Sequence, residues 1–507
     1  MARRPFPIGA LIAAILVLAL VLGPIPLLLM RGSGALVWAD LAALRFTLTQ
    51  AALSALLSVL LAIPVARALA RRRFWGRDLL ITLMGAPFLL PVLVVVLGVL
   101  TIFGPRGWLV EIGLPMPSVF GIQGVVLAHL FLNLPLVVRI ILQGWQAIPA
   151  ERLRLAAALG FDAAAYWRHL EWPMLRAVLP GAALAIFMVC LTSFAIALTL
   201  GGGPRATTIE LAIYQAVRFE FDLPRAALLA LLQFGICALA VLGAAWFTSP
   251  SGFGAGKGVV LAPFAPKGWR RTIDVGVLIS ASLFVALPIL AAILRGLPGL
   301  PDLPPQVWPA LFRSLMVAVV SALISVGGAL TFALAVAAGR RGFEWPAMIP
   351  LASSSLVLGT GLFLMLFPFI SPARVALAVT ILVNAALALP YAYRLILPDA
   401  RSVQADFGRL AQSLGMTGYA RLHLVTLPRL RRPLGFALGV TAALSMGDLG
   451  AIALFAGERG ATLPLLIQRL MGAYRMDAAA GAALILMGAS FTLFWMFDTA
   501  GRRDADT

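Results

Sequence analysis

Charge is scarce in this chain. Of 507 residues only 12% are Asp, Glu, Lys or Arg, where an ordinary soluble domain carries roughly a quarter. Acidic residues are the scarcest, 20 against 39 basic ones, which leaves a formal net charge of +19. There are two cysteines, Cys190 and Cys237, both inside apolar runs. That excludes a disulfide framework, and they read as small core hydrophobes. The three histidines, His129, His169 and His423, share no metal-ligand spacing. His129 falls within an apolar run and reads as a satisfied packing histidine. No nucleophile, base and orienting group stand together, so neither catalysis nor a cofactor or metal is expected. A phosphate-cradling loop is also missing. The nearest approach, Gly252-Phe-Gly-Ala-Gly-Lys257-Gly258, has the wrong glycine spacing and no hydroxyl after the lysine. ATP hydrolysis, if the protein depends on it, belongs to a separate subunit.

What fills the space left by charge is apolar sequence: 62% of the residues are hydrophobic and the mean hydropathy is +1.00. A hydrocarbon core about 30 Å thick takes roughly 20 apolar residues per helical crossing. Runs of that length predict about twelve spans, near 8–30, 46–69, 79–103, 122–147, 175–200, 225–247, 273–295, 310–337, 346–370, 375–397, 433–456 and 479–500. Membrane strands would need alternating polarity in pieces of about ten residues. Pro64, Pro91, Pro135 and Pro390 lie within the runs and do not veto helices, because neighbours can satisfy the freed carbonyls. The first run is too long for a signal-peptide core, so a retained first span is expected.

The basic residues sit mostly in alternate short loops and at the tails, including Arg3, Arg4, Arg71–Arg73, Arg152, Arg340, Arg341, Arg431, Arg432, Arg502 and Arg503. That excess predicts cytoplasmic N- and C-termini. It also explains the positive charge without a nucleic-acid partner, for which no module is present. Residues 248–272, rich in Gly, Pro and Ser and ending in a basic cluster, read as a cytoplasmic linker. It separates a first unit, 1–247, from a second, 273–507.

The two units repeat. Arg154-Leu-Ala-Ala-Ala-Leu-Gly160 recurs as Arg409-Leu-Ala-Gln-Ser-Leu-Gly415, an offset of 255 residues shared by Pro135/Pro390, Arg139/Arg394 and Pro173/Pro428. Upstream, Ser54-Ala-Leu-Leu-Ser-Val matches Ser321-Ala-Leu-Ile-Ser-Val at an offset of 267. Six spans per unit make the repeat parallel, with an axis along the membrane normal. The repeated motif falls in loops 148–174 and 398–432. Its Ala and Leu favour a short helix, its Gly permits a turn, and Pro173 or Pro428 suits the start of a new helix. A short helix across the membrane face is a lever for a partner.

These loops resemble the signature of ABC importer permeases, E-A-A-x-x-x-G-x9-I-x-L-P. Ala156, Gly160, Leu170, Trp172 and Pro173 stand on its positions in the first copy, and Ala411, Gly415, Val425, Leu427 and Pro428 in the second. Both copies depart from it at the opening Glu (Arg154, Arg409) and the first Ala (Leu155, Leu410). The resemblance spans nearly the whole chain and narrows at Ser193–Gln215, Leu444–Phe455 and Thr462–Ile467. There the sequence is similar to permeases of bacterial thiamine and thiamine diphosphate importers, with fused ferric-iron permeases the nearest confusable relatives. The resemblance implies an all-α polytopic membrane protein of the type I importer permease fold, in the bacterial inner membrane. It further implies two copies of an ABC ATPase and a periplasmic substrate-binding protein as partners. Arg154, Ala156, Ala157, Gly160, Phe161, Pro173, Arg409, Ala411, Gly415, Met416 and Pro428 would then form the ATPase-docking surfaces. An ion-coupled secondary transporter is the rival from another class, and it leaves the duplicated levers unexplained.

Asp448 is the most informative charge, since a carboxylate in an apolar stretch usually faces a bundle interior or a water-filled path. Its counterpart at offset 255 is Ser193, so the repeat is asymmetric at that depth. Either both residues line a substrate pathway, or Asp448 caps a broken helix beside Gly447 and Gly450. Glu210, Glu220 and Asp222 in one external loop, and Glu458 and Asp477 in its partner, are either solvated or a dock for a basic binding protein.

Overall fold

A computed structural model describes residues 8–33, 36–114, 118–203, 206–245, 268–416, 418–457 and 460–503. The 248–272 linker therefore lies almost wholly outside the described residues. Among these residues, 11 helices are long and apolar enough to cross a membrane, or 12 if Arg341–Ala352 and Ser355–Leu366, which meet at 89°, form one broken span. A bilayer leaves backbone groups no water, and helices satisfy them within the segment.

The lipid-facing and protein-facing sides follow from spacing. In the first helix, Ile8–Leu22, Ala10, Ala14, Val17 and Val21 are buried along one stripe. Ile8, Ile12, Ile15 and Leu16 are exposed on the other side. The small residues on the buried stripe allow close helix approach where apolar lipid gives no hydrophobic drive.

The repeat is written into the backbone. Helix Trp172–Leu191 matches Leu427–Met446, and the turns Ala163–Tyr166 and Gly418–Arg421 precede them at the same 255-residue offset. Between each turn and its helix lies a π-helical segment, Trp167–Glu171 and Leu422–Thr426. Proline therefore does not begin a new helix at Pro173 or Pro428, as the sequence suggests. The helical path continues through a wider turn, in which Trp172 N–H donates to the Trp167 carbonyl and Leu427 N–H to that of Leu422. Such a π turn is one way to carry a chain past a residue that has no N–H to donate. Upstream, Trp38–Arg71 packs on Ile122–Gln146, and Val307–Ala337 packs on Pro372–Ser413. A matched polar tie holds each pair to a later helix: Ile209 N–H donates to Thr47 Oγ1 at 2.9 Å, and Leu463 N–H to Ser314 Oγ at 2.8 Å.

The outermost helices are exchanged. Ile8–Leu22 packs against Val307–Ala337 of the second unit, while Trp269–Gly296 packs against Trp38–Arg71 and Val92–Phe103 of the first as well as Met476–Arg503 of its own unit. At the second crossing Gly98 is necessary, because a Cβ there would run into the carbonyl of Pro288.

Several expected continuous spans are broken. The 79–103 run folds as Arg77–Leu83, Ala86–Leu89 and Val92–Phe103, interrupted around Gly85 and Pro91. The 175–200 run breaks at Thr192–Ser193, and 433–456 breaks at Gly447–Leu449. The 346–370 run turns sharply at Ser353–Ser354, where the Ser354 hydroxyl accepts from Val357 N–H at 3.2 Å and starts a fresh helix. Irregular backbone at such depth is tolerated where protein or a cavity surrounds it.

Candidate translocation cavity and coupling loops

The four breaks surround two adjoining cavities. One, about 390 Å³, is lined by Thr192, Ser355, Asn384, Tyr391, Arg394 and Asp448 among others. The second, about 260 Å³, shares Leu136, Val189, Thr192, Ser355, Leu444 and Asp448 with it, and adds His129, Asn133, Ser193 and Glu210. Both units contribute to both walls. Ser193 and Asp448, related by the repeat and separated by 255 positions, line the same 260 Å³ space.

Asp448 sits where the Leu427–Met446 helix has ended and Gly450–Phe455 has not begun. Ser355 Oγ donates to its Oδ2 at 3.3 Å and accepts from Ala451 N–H at 2.8 Å. The carboxylate is thus tied into the broken-helix junction and also half exposed to the cavity. The two sequence readings of Asp448 are compatible in this geometry. Asn384, on the facing wall, donates to Ser445 Oγ at 2.9 Å.

Glu210 differs from its expected place in a solvated loop. It lies in the first turn of Ile209–Gln215, is 1% exposed, and lines the cavity. The helix is capped by Thr208, whose side chain accepts from Leu211 N–H. Seven residues are too few to cross a bilayer, so a hydropathy count passes over this helix and treats its acid as part of a loop. The Ser354 hydroxyl is a hydrogen-bonding neighbour of the Glu210 carboxyl, whose Oε1 has no partner among the described residues. His129 is only half satisfied: Nδ1 pairs with Ser54 Oγ at 3.2 Å, and Nε2 has no partner among the described residues. Of the other loop acids, Glu220 is exposed and bonds Arg225 at 2.5 Å. Asp222 accepts from Arg225 N–H, and Asp477 pairs with Arg295 at 2.8 Å with both side chains exposed. Glu458 lies outside the described residues.

The two coupling loops end their helices in the same way. Gly160 and Gly415 take left-handed φ values of +64° and +66°. Around them Leu159 N–H bonds the Leu155 carbonyl and Phe161 N–H the Ala156 carbonyl, repeated by Leu414 to Leu410 and Met416 to Ala411. This closes the orphan carbonyls of a helix end with a left-handed residue, for which glycine is the natural choice. Arg154, Ala157, Gly160, Pro173, Arg409 and Gly415 are exposed, and Phe161, Met416 and Pro428 half-buried. Ala156 and Ala411 are 2% exposed and face their own unit. What the helices present outward is a pair of leucines a turn apart, Leu155/Leu159 and Leu410/Leu414, all exposed. Leu155 and Leu410 stand where the sequence departs from the signature, and the i, i+4 spacing to Leu159 and Leu414 makes each pair legible.

No family model matches the chain. Individual proteins do. The thiamine transport system permease protein ThiP of Brucella abortus (strain 2308) is 41% identical over 478 residues, covering 91% of this chain and 88% of that protein. Its namesake from Escherichia coli (strain K12) is 40% identical over 490 residues, covering 91% and 89%. That of Haemophilus influenzae (strain ATCC 51907 / DSM 11121 / KW20 / Rd) is 36% identical over 486 residues, covering 91% and 88%. With this likeness running through both units, the cavity and both coupling loops, the chain belongs to the family of thiamine transport system permease proteins.

Proposed function

We propose that this chain is the membrane-spanning subunit of an ATP-driven thiamine importer, taking up thiamine or its phosphate esters from a periplasmic binding protein. The cargo follows from what the relatives are named for. They lend no support to a ferric-iron permease. The machinery follows from the two matched coupling loops, the observation that carries the reading. Each offers an exposed leucine pair on a glycine-terminated helix, continuous in sequence with a cavity-lining helix. Leu155/Leu159 and Leu410/Leu414 with Arg154, Ala157, Phe161, Arg409 and Met416 are the docking surfaces for two copies of a separate ATPase. Ala156 and Ala411 seat the helices from beneath, and Gly160, Gly415, Pro173 and Pro428 shape the path of the chain.

In this scheme the loop-bearing face is cytoplasmic, as are both termini, and the membrane is the bacterial inner membrane. ATPase closure draws the two loops together and rocks units 1–247 and 273–507 about the joint cavity. Thiamine carries a permanent positive charge, and Asp448 offers a carboxylate where Ser193 offers a hydroxyl. The secondary-transporter alternative has no use for two levers.

The experiment is thiamine uptake into proteoliposomes holding the purified complex with its ATPase and binding protein. Uptake should require ATP and both partners. Asp448→Asn should lower it by about tenfold, the order of one charged hydrogen bond. Uptake by the permease without an ATPase would overturn the reading.

A further inference from the structure

Each unit contributes an acid to the cavity, and they come from positions the repeat does not relate. Asp448 corresponds to Ser193. Glu210 follows the capping Thr208 of its helix by two residues, and two residues after the equivalent Thr462 stands Pro464. The two acids nevertheless line the same 260 Å³ space. They are also gathered by adjacent serines: Ser355 donates to Asp448, and Ser354 neighbours Glu210. These serines stand at the N-terminus of the 12-residue helix Ser355–Leu366, whose amide dipoles favour negative charge. In the first unit, Pro91 and Val92 occupy the corresponding start of Val92–Phe103, and neither has a side-chain hydrogen-bonding group.

A purely structural role for Glu210 would be complete once the serine was satisfied. It is not complete. The Glu210 side chain is buried, yet among the described residues its Oε1 has no partner, and the Nε2 of His129 on the same cavity wall has none either. A buried polar atom left without a partner costs free energy, and in native proteins it usually marks a ligand or another function. Among the described residues, Arg394 lines the larger cavity, whose lining does not include Glu210, and no Lys or Arg lines the smaller one.

We propose that Glu210 and Asp448 together form a two-carboxylate site for an organic cation bearing N–H donors, with His129 Nε2 as a third polar contact. This rests on the transport reading above and deepens it by naming Glu210 as a specificity-determining residue. A cation with a polar ring would meet one carboxylate with its charge and the other with its amino group, so that neither acid suffices. The site is built only when both units contribute, which gives a fused, asymmetric chain an advantage over two identical copies.

The test uses the whole complex, with its ATPase and binding protein, in proteoliposomes and with thiamine as the probe. Glu210→Gln keeps the shape and one acceptor oxygen but removes the charge. Uptake should fall by about tenfold or more while the complex still assembles. Glu210→Asp should recover a substantial part. The Glu210→Gln, Asp448→Asn double variant should lose less than the product of the single effects, because the two acids hold one ligand, and a loss equal to that product overturns the shared site. Wild-type uptake by Glu210→Gln overturns the proposal, as does a loss that Glu210→Asp does not relieve or that tracks disassembly of the complex. Failure of the wild-type complex to transport thiamine would instead sink the parent reading.

Discussion

The two coupling loops end alike at Gly160 and Gly415 but are entered and held differently. In the first, the helix Ile122–Gln146 ends, the chain turns at Pro149, and the short helix Ala150–Ala158 is a separate piece. In the second, one helix of 42 residues, Pro372–Ser413, runs from the cavity wall through the Arg409–Ser413 segment without a stop. The jointed lever is clamped by ions. Glu171, fully buried, accepts from Arg71 at 2.6 Å and Arg67 at 3.0 Å, and the two guanidinium groups lie over Tyr166 and Trp167. At the corresponding place the rigid lever has Thr426, whose hydroxyl donates to the Arg421 carbonyl. Arg421 also donates to Gln404, and Arg429 stacks 3.6 Å from the ring of Phe407. A lever continuous with its helix needs little fastening, whereas one joined through a proline turn needs a strong anchor.

Breaking the anchor is the most severe test of that contrast. Glu171→Ala strands Arg71 in a buried site, and losing one partner of a buried pair costs roughly 3–5 kcal/mol. Thr426→Ala removes a neutral hydrogen bond worth about 1 kcal/mol. Thermal unfolding of the purified permease, read beside ATP hydrolysis in the assembled complex, should show a large loss for the first and a slight one for the second. Equal losses would mean that the loops are fastened alike.

The shared glycine ends give a smaller, symmetric test. Gly160→Ala and Gly415→Ala each force a Cβ into left-handed backbone, costing roughly 1–2 kcal/mol. Open space around both positions leaves no further clash, so the two losses should agree. Unequal shifts in melting temperature would show that one loop relaxes where the other does not. Smallest of all is Arg401→Ala, which removes an exposed pair with Glu344 at 3.1 Å. A change above about 1 kcal/mol would be out of keeping with a surface ion pair.

Much of this architecture is legible in the sequence because lipid simplifies the reading. Apolar length marks the crossings, and the Arg154–Gly160 and Arg409–Gly415 motifs mark both the repeat and the levers. What stays hidden is hidden for physical reasons. Glu210 follows Gly201-Gly-Gly-Pro, a turn signal, so its short buried helix looks like loop; only tertiary burial distinguishes them. The breaks at Pro91, Ser193, Ser354 and Asp448 are written in residues that continuous membrane helices also tolerate. The exchanged outer helices leave no local trace, since an apolar stripe of Ala and Val fits either unit equally well.

That exchange constrains how the machine can move. Ile8–Leu22 is carried by one unit and seated on the other, and Trp269–Gly296 packs on Met476–Arg503 of its own unit while reaching the first, with Gly98 against the Pro288 carbonyl. Two clasped bodies of this kind cannot part along their interface without unseating a helix on each side.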